Sequence, residues 1–296
     1  MSEIELLEIR RLDQLGLPPI SSRQVLGLMF GINSGLIWSF QSRTSRYYRT
    51  FYIPKGNRTR KIDAPRVGLK AIQKWLSVQL QYLYNVPAHV FGFVSGRSHV
   101  DAALVHVRAT WVLSVDIRDF FQTTPRILVQ SKLEKLGFNS KEADLISSLC
   151  CLRERLAQGS PVSPLLSNVC FEDLDIALVN IAEKFNVRLS RYADDIVFSS
   201  EVDYPDGLKE NVEELFVEAC WDLAEEKIEL TKLPNRLKVH GLLVHGENIR
   251  LTKGYRNKIR TYKYLIASKR PEDLEEIDKM KGHISYEKFI LDKVNG

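Results

Sequence analysis

Residues 187–199, Val187-Arg188-Leu189-Ser190-Arg191-Tyr192-Ala193-Asp194-Asp195-Ile196-Val197-Phe198-Ser199, read as strand, short turn, strand, with Ala193-Asp194-Asp195 at the turn. The adjacent acids at such a turn can be joined by a third from a neighbouring strand. Trp111-Val112-Leu113-Ser114-Val115-Asp116-Ile117 offers one: Trp111, Leu113, Val115 and Ile117 share one strand face, so Asp116 projects from the other.

Between these strands the periodicity is helical. Thr124-Pro125 marks a helix start for about 127–136, and an amphipathic run extends from about Pro164 to Phe185. Upstream, Leu69, Ile72, Leu76, Leu80 and Leu83 recur at three- and four-residue steps; downstream, Val212, Leu215, Phe216, Ala219 and Leu223 do the same behind a possible cap at Asp206. Strand, helices, hairpin, helix, strand predicts an α+β unit, a sheet covered on one face by helices.

Carboxylates brought close together repel unless they are protonated or bridged by cations, and hard oxygen ligands suit Mg²⁺. Two such ions about 4 Å apart can stabilise the attacking and leaving oxygens of an in-line phosphoryl displacement. A third element, Gln158-Gly159-Ser160-Pro161-Val162-Ser163-Pro164-Leu165-Leu166-Ser167-Asn168, lies between the first aspartate and the pair. Its glycine lets backbone approach a substrate, its prolines stiffen the loop, and a helix N-terminus follows. Taken alone the pattern reads first as a loop and helix cap.

The 296 residues, 44% hydrophobic and 27% charged, are enough for a sizeable core. No run of about 18 apolar residues occurs, and MSEIELLEIRRLDQL at the N-terminus has no apolar signal core. The expectation is therefore a cytoplasmic protein without a membrane partner. Cys150, Cys151, Cys170 and Cys220 form no CxxC pair and fit a reduced compartment. His99 with His106 and His240 with His245 lack a second ligand pair, so no structural zinc is expected.

A net charge of +5 says little, but its distribution says more. Between Gln41 and Lys70 nine Lys or Arg residues face the single acid Asp63, with Tyr47, Tyr48, Phe51 and Tyr52 interleaved. Arg250 to Arg270 carries eight basic residues and no acid, with Tyr255, Tyr262 and Tyr264 among them. Basic side chains neutralise phosphates and aromatic rings stack on unpaired bases, so the two stretches together point to nucleic acid; either alone is as readily a solvated basic surface.

The order SVDIRDFF (114–121), QGSPVSPLLSN (158–168) and YADD (192–195) resembles motifs A, B and C of reverse transcriptases, with bacterial retron enzymes the nearest type. RKIDAPRVGLKAIQKWL (60–76) is similar to the fingers segment, VFGFVSGRSHVDAALVH (90–106) to the lead into the palm, KVHGLLVHGENIRLTKGYRNKIR (238–260) to the entry into the thumb, and DKMKGHISY (278–286) to a thumb element. Two positions depart from the retron pattern. Its Asn-Ala-x-x-His motif stands here as Ala102-Ala103-Leu104-Val105-His106, and its VTG triplet as Val239-His240-Gly241. GRSHVDAA also resembles group II intron and related bacterial enzymes.

The resemblance implies a right-hand polymerase: an N-terminal helical region and fingers over 1–110, a palm of antiparallel sheet covered by helices over 111–237, and a small helical thumb over 238–296. Residues 125–157 would form a helical insertion contributing to the fingers, and no RNase H, maturase or endonuclease domain is expected in the chain. Asp116, Asp194 and Asp195 would be catalytic and, with Ile117, hold two Mg²⁺ ions; Arg60, Lys61, Asp119, Phe120, Phe121, Gln158 and Gly159 would form the nucleotide site. Phe121 matches the position whose ring excludes a ribose 2′-hydroxyl, and Lys232 is a candidate to stand near the leaving pyrophosphate. Arg250, Lys253, Tyr255, Arg256 and Arg260 would contact RNA. Implied partners are a structured noncoding RNA as template and primer, its DNA product, dNTPs, and an effector protein encoded nearby in anti-phage defence. Rival readings are another bacterial reverse transcriptase, of intron-derived, diversity-generating or abortive-infection type, and an inactive RNA-binding scaffold.

Overall fold

The computed structural model describes residues 2–56, 58–268 and 274–295. Lys269 and Arg270, the end of the second basic stretch, lie outside the described residues, as does the side chain of Arg58. In chain order, helices α1 (Glu3–Gln14), α2 (Arg23–Phe30) and α3 (Ser34–Ser42) precede strands β1 (Tyr48–Lys55) and β2 (Arg58–Pro65). Then come α4 (Val67–Leu80), α5 (His99–Leu104), β3 (Trp111–Asp116), α6 (Phe120–Thr123), α7 (Arg126–Lys135) and α8 (Ser140–Cys150). A two-residue ribbon, β4 (Cys151–Leu152) with β5 (Arg155–Leu156), leads to α9 (Ser163–Lys184), and the hairpin β6 (Arg188–Tyr192) and β7 (Asp195–Ser200) follows. The remainder is α10 (Leu208–Val217), β8 (Glu229–Lys232), β9 (Lys238–Val239), β10 (Leu242–Leu243), β11 (Arg250–Leu251), α11 (Lys253–Ala267) and α12 (Leu274–Asn295).

The chain divides into two compact units, 1–87 with 117–177 and 215–222, and 88–116 with 178–214 and 223–296. In the first, α1 to α4 and α7 and α8 accompany the β1–β2 ribbon. Gln73 of α4, fully buried, donates through Nε2 to Tyr48 Oη and to the Leu149 carbonyl, both at 2.7 Å, while its Oε1 accepts from Ser160 Oγ at 2.7 Å. A buried amide satisfied on both ends locks its neighbours in place. Here it fixes the loop before α9 against β1 and α8.

In the second unit the strands order β6-β7-β3-β8, every pairing antiparallel. The alternation read from Trp111, Leu113 and Val115 is present, but Val112 on the opposite face is only 2% exposed. Together with Val197 it joins a core that includes Val239, Leu242, Val244, Leu251, Ile259 and Ile290. The small sheet β11-β10-β9 and the helices α11 and α12 supply that cover. One end of the sheet is thus buried on both faces, which the pattern Val112-Leu113 without a polar break records only locally. The helix expected to run on to Leu223 ends at Val217, so Ala219 and Leu223 belong to the irregular segment behind it.

His106, also fully buried, stands between the two hairpin strands: Nδ1 lies 2.6 Å from Ser199 Oγ and Nε2 2.7 Å from Ser190 Oγ. Burial, with His240 and Arg188 nearby, holds its pKa down to about 3 against an ordinary 6.5. Below pH 6.5 the unfolded chain takes up a proton that the folded chain refuses, so the stability is full above that pH and declines toward pH 3. The group should cost the fold roughly 2 kcal/mol between pH 6.5 and 5. Urea unfolding at pH 7.5 and 5 should show His106→Gln losing less stability than the parent by about that amount, and equal losses would contradict the assignment.

Candidate active site

In the β3–β7 ladder Asp116 is paired directly with Asp195, and Tyr192 pairs with Asp195 across the hairpin, leaving Ala193-Asp194 as a two-residue turn. Three carboxylates therefore meet at one end of one sheet, as the sequence indicated. Ala193 adopts φ 59°, a left-handed value that costs a residue with a Cβ on the order of 1 kcal/mol. The surroundings enforce it. Arg191, fully buried, donates from Nη1 to the Ala193 carbonyl at 3.1 Å, and its own backbone is bonded on both sides, to the His89 carbonyl and from Phe91 N, at 2.8 Å each. Behind the turn lies Gly92, where an added Cβ would stand 2.2 Å from Ala193 N and 2.8 Å from the Tyr192 carbonyl carbon.

Burial, with Asp116 and Asp195 alongside, pushes the Asp194 carboxyl above the usual carboxylate range. Its neighbours have found partners within the chain: Lys227 Nζ is hydrogen-bonded to Asp116 Oδ1, and His240 Nδ1 is 3.1 Å from Asp195 Oδ2. With the carboxylates turned to these partners, no three His, Cys, Asp or Glu side chains converge at metal-ligating distance among the described residues. The donor set nonetheless fits a divalent cation. Hard oxygens are present and crowded at one end of the sheet, and a bridging cation relieves that crowding. Ile117 is 1% exposed, so its side chain is excluded and only its backbone could serve.

Lys232 is misplaced by the sequence reading. Because β8 runs antiparallel to β3, Lys232 pairs with Trp111, five residues from Asp116 and so roughly 16 Å along the strand, and its ammonium lies over the Tyr204 ring at 4.7 Å. Lys227, five residues earlier, is the lysine at the carboxylate end. Strand direction, which single residues do not announce, decided the matter. Gly92 and Arg191 were missed as well. The only signal for Gly92 was its glycine in VFGFVSG, and a buried arginine within a strand has no sequence mark.

The other unit gathers a second set. Asp63 N donates to the Gln158 carbonyl at 2.8 Å, which seats the loop beside Lys61, itself 3.5 Å from the Asp63 carboxylate. Gly159 has φ 126°, and a Cβ there would lie 2.8 Å from Ile62 Cγ2 and 2.9 Å from the Asp63 carbonyl oxygen. Lys61, Gln158 and Gly159 are thus brought together, while Arg60 pairs with Ile53 in the β1–β2 ribbon. Asp119, at φ 47°, precedes α6 and makes no side-chain cap bond. Phe120 is 4% exposed and packs at 5.7 Å from Phe171 and 6.2 Å from Trp221, so its ring is core and only its backbone could meet a nucleotide. Phe121, beside it, is half-buried.

Of the expected RNA contacts, Arg250, Lys253, Arg256 and Arg260 are exposed. Tyr255 is not free to stack on a base: its hydroxyl lies 2.6 Å from His283 Nδ1 and its ring meets Tyr286 edge-on at 5.9 Å, between α11 and α12. Tyr264, 59% exposed, is the aromatic that the helix presents outward.

The model of the reverse transcriptase (RNA-dependent DNA polymerase) family matches residues 53–265, most of the chain, and the protein belongs to that family. Membership implies dependence on a divalent metal. The retron-type resemblance holds among curated relatives. The Ec86 retron reverse transcriptase of Escherichia coli is 28% identical over 68% of this chain and 64% of its own length. That of retron Mx65 from Myxococcus xanthus is 27% identical over 90% of this chain and 67% of its own. The chain therefore spans about two thirds of their lengths or slightly less. Among solved structures, apo telomerase from Candida tropicalis truncated from its C-terminal domain gives a TM-score of 0.50 at 8% identity, covering 75% of this chain and 61% of that one. Telomerase from Candida albicans with a TWJ fragment of telomeric RNA gives 0.50 at 10% identity, covering 86% and 57%. At such identities the likeness concerns the α+β polymerase fold alone. Among the described residues no helix is long and apolar enough to cross a membrane.

The close approach at Gly92 yields a stability prediction. Gly92→Ala should lower the unfolding free energy by about 1–3 kcal/mol, because both atoms it meets are backbone. Gly254→Ala, in α11 with nothing within 4 Å, should be neutral or stabilising. Denaturant titration reads both, and equal effects would contradict the packing argument.

Proposed function

We propose that the protein is an RNA-directed DNA polymerase of retron type. The observation that carries this reading is the Asp116–Asp195 pairing with Asp194 at the adjoining turn, a carboxylate trio on neighbouring strands. Asp116, Asp194 and Asp195, with the Ile117 backbone, would hold two Mg²⁺ ions, which would supply charge stabilisation to the attacking and leaving oxygens of an in-line displacement. Lys227, at Asp116, adds positive charge where negative charge develops on the transferring phosphoryl group.

Arg60 and Lys61 receive the triphosphate of a dNTP, Gln158 and Gly159 line the template and nucleotide, and the backbone at Asp119 and Phe120 supports the phosphates. The Phe121 ring excludes a ribose 2′-hydroxyl. Residues 1–110 serve as N-terminal region and fingers, 111–237 as palm with the insertion 125–157, and 238–296 as thumb. Arg250, Lys253, Arg256 and Arg260 on the thumb bind phosphates of a structured noncoding RNA, which serves as template and primer. The product is single-stranded DNA branched from that RNA, made in the cytoplasm and acting with an effector protein encoded nearby in defence against phage. Relatives named as retron reverse transcriptases support the subclass.

Primer extension on an RNA template with Mg²⁺ should proceed with dNTPs and not rNTPs, and Asp194→Asn should reduce it at least a thousandfold. Phe121→Val should raise rNTP use relative to dNTP roughly tenfold or more. Extension unaffected by Asp194→Asn would refute the site. Charge reversal of Lys253, Arg256 and Arg260 should weaken binding of a structured RNA and flatten the slope of log affinity against log salt by roughly 3. An unchanged slope would remove these residues from the interface.

A further inference from the structure

His240 occupies a position whose backbone argues against it. Strands β9 and β10 are joined by His240-Gly241, with Val239 paired to Leu242, and both loop residues have positive φ, 48° and 83°. This is the two-residue hairpin turn with left-handed geometry at both positions, where Asn-Gly is the favoured pair. Histidine there is strained, and strain is retained where surrounding contacts over-determine it.

The contacts explain the choice. The imidazole reaches the catalytic end of the larger sheet, with Nδ1 3.1 Å from Asp195 Oδ2 and the side chain only 9% exposed. A carboxylate can only accept a hydrogen bond, so the tautomer that makes this bond carries its proton on Nδ1. Nε2 is buried with no partner among the described residues, so nothing else orients the ring from its far edge. The ring instead rests on Tyr192, with centroids 5.3 Å apart, and Tyr192 meets His99 at 6.2 Å on another side. His99 in turn donates to or accepts from the Tyr286 hydroxyl at 2.7 Å and stacks on that ring at 5.6 Å, which ties it to α12. The imidazole is therefore wedged between a turn that fixes its backbone and an aromatic column that fixes its plane.

We propose that His240 is a positioning residue for the polymerase reaction: its Nδ1–H holds Oδ2 of Asp195 and so presents Oδ1 in the orientation needed to ligate a divalent cation. This deepens the function proposed above and rests on Asp195 being a metal ligand. Outer-shell partners that fix a ligating group typically matter by ten- to a hundredfold in metal affinity or activity. One oxygen held and one free is the arrangement such a partner creates.

Asparagine and glutamine separate this role from mere packing. The side-chain amide nitrogen of His240→Asn falls near the place of Nδ1, whereas that of His240→Gln falls near Nε2 and points away from Asp195. The full-length parent and both variants would be titrated with Mn²⁺, bound and free ion being distinguished by electron paramagnetic resonance. The same proteins would be compared in primer extension for kcat and for KM of the dNTP. His240→Gln should weaken Mn²⁺ binding about tenfold or more and lower kcat by a similar factor while KM moves less than about threefold. His240→Asn should recover most of both losses, with melting temperatures of the two variants alike. Should His240→Gln melt early, His240→Leu, which has no side-chain donor at all, takes its place. Parental Mn²⁺ affinity in the Gln or Leu variant, or equal losses in the Asn and Gln variants, would overturn the proposal. Extension that survives Asp194→Asn would instead count against the polymerase site, and the Mn²⁺ titration would still decide whether His240 orients Asp195.

Discussion

Asp116 and Asp195 face each other in the β3–β7 ladder with Asp194 on the adjoining turn, and like charges opposed in this way destabilise the sheet that carries them. The surrounding structure answers that repulsion. Lys227 and His240 place positive or proton-donating groups against two of the carboxylates, while burial keeps the third above its ordinary pKa. The strained turn at Ala193 is held from behind by Gly92 and from within by the Arg191 guanidinium. His106 braces the two hairpin strands one layer further away. A cluster that disfavours the fold is thereby made a rigid fixture of it, and a divalent cation bound there would recover the electrostatic cost.

The other unit follows the same logic with backbone instead of charge. Gly159 approaches β2 so closely that no side chain fits, and the Asp63–Gln158 hydrogen bond holds the approach. Gln73 anchors the neighbouring Ser160, so a loop rich in proline and glycine is given one conformation. Rigid scaffolding of a mobile-looking sequence is what a site for a small charged substrate requires.

Much of this was legible in the sequence. The hairpin around YADD, the strand ending at Asp116 and the helix after Pro164 are local patterns, and each formed within a residue or two of its expected limits. What was hidden depended on neighbours distant in the chain. Lys232 was named as the lysine near the pyrophosphate because the direction of β8 is a property of pairing, not of residues 229–232. Phe120 and Tyr255 were read as possible ligand contacts, yet Phe171, Trp221 and His283 turn both rings inward. The role of His240 was visible only as a departure from a triplet, since its turn geometry and its reach to Asp195 arise from packing.

The most direct measurement is the anomalous scattering of Mn²⁺ in crystals of the protein with an RNA template, a chain-terminated DNA primer and the next dNTP. Two Mn²⁺ peaks within ligating distance of Asp116, Asp194 and Asp195, with the triphosphate beside them, are the expected result. Manganese bound elsewhere, or a nucleotide seated away from these carboxylates, would contradict the account.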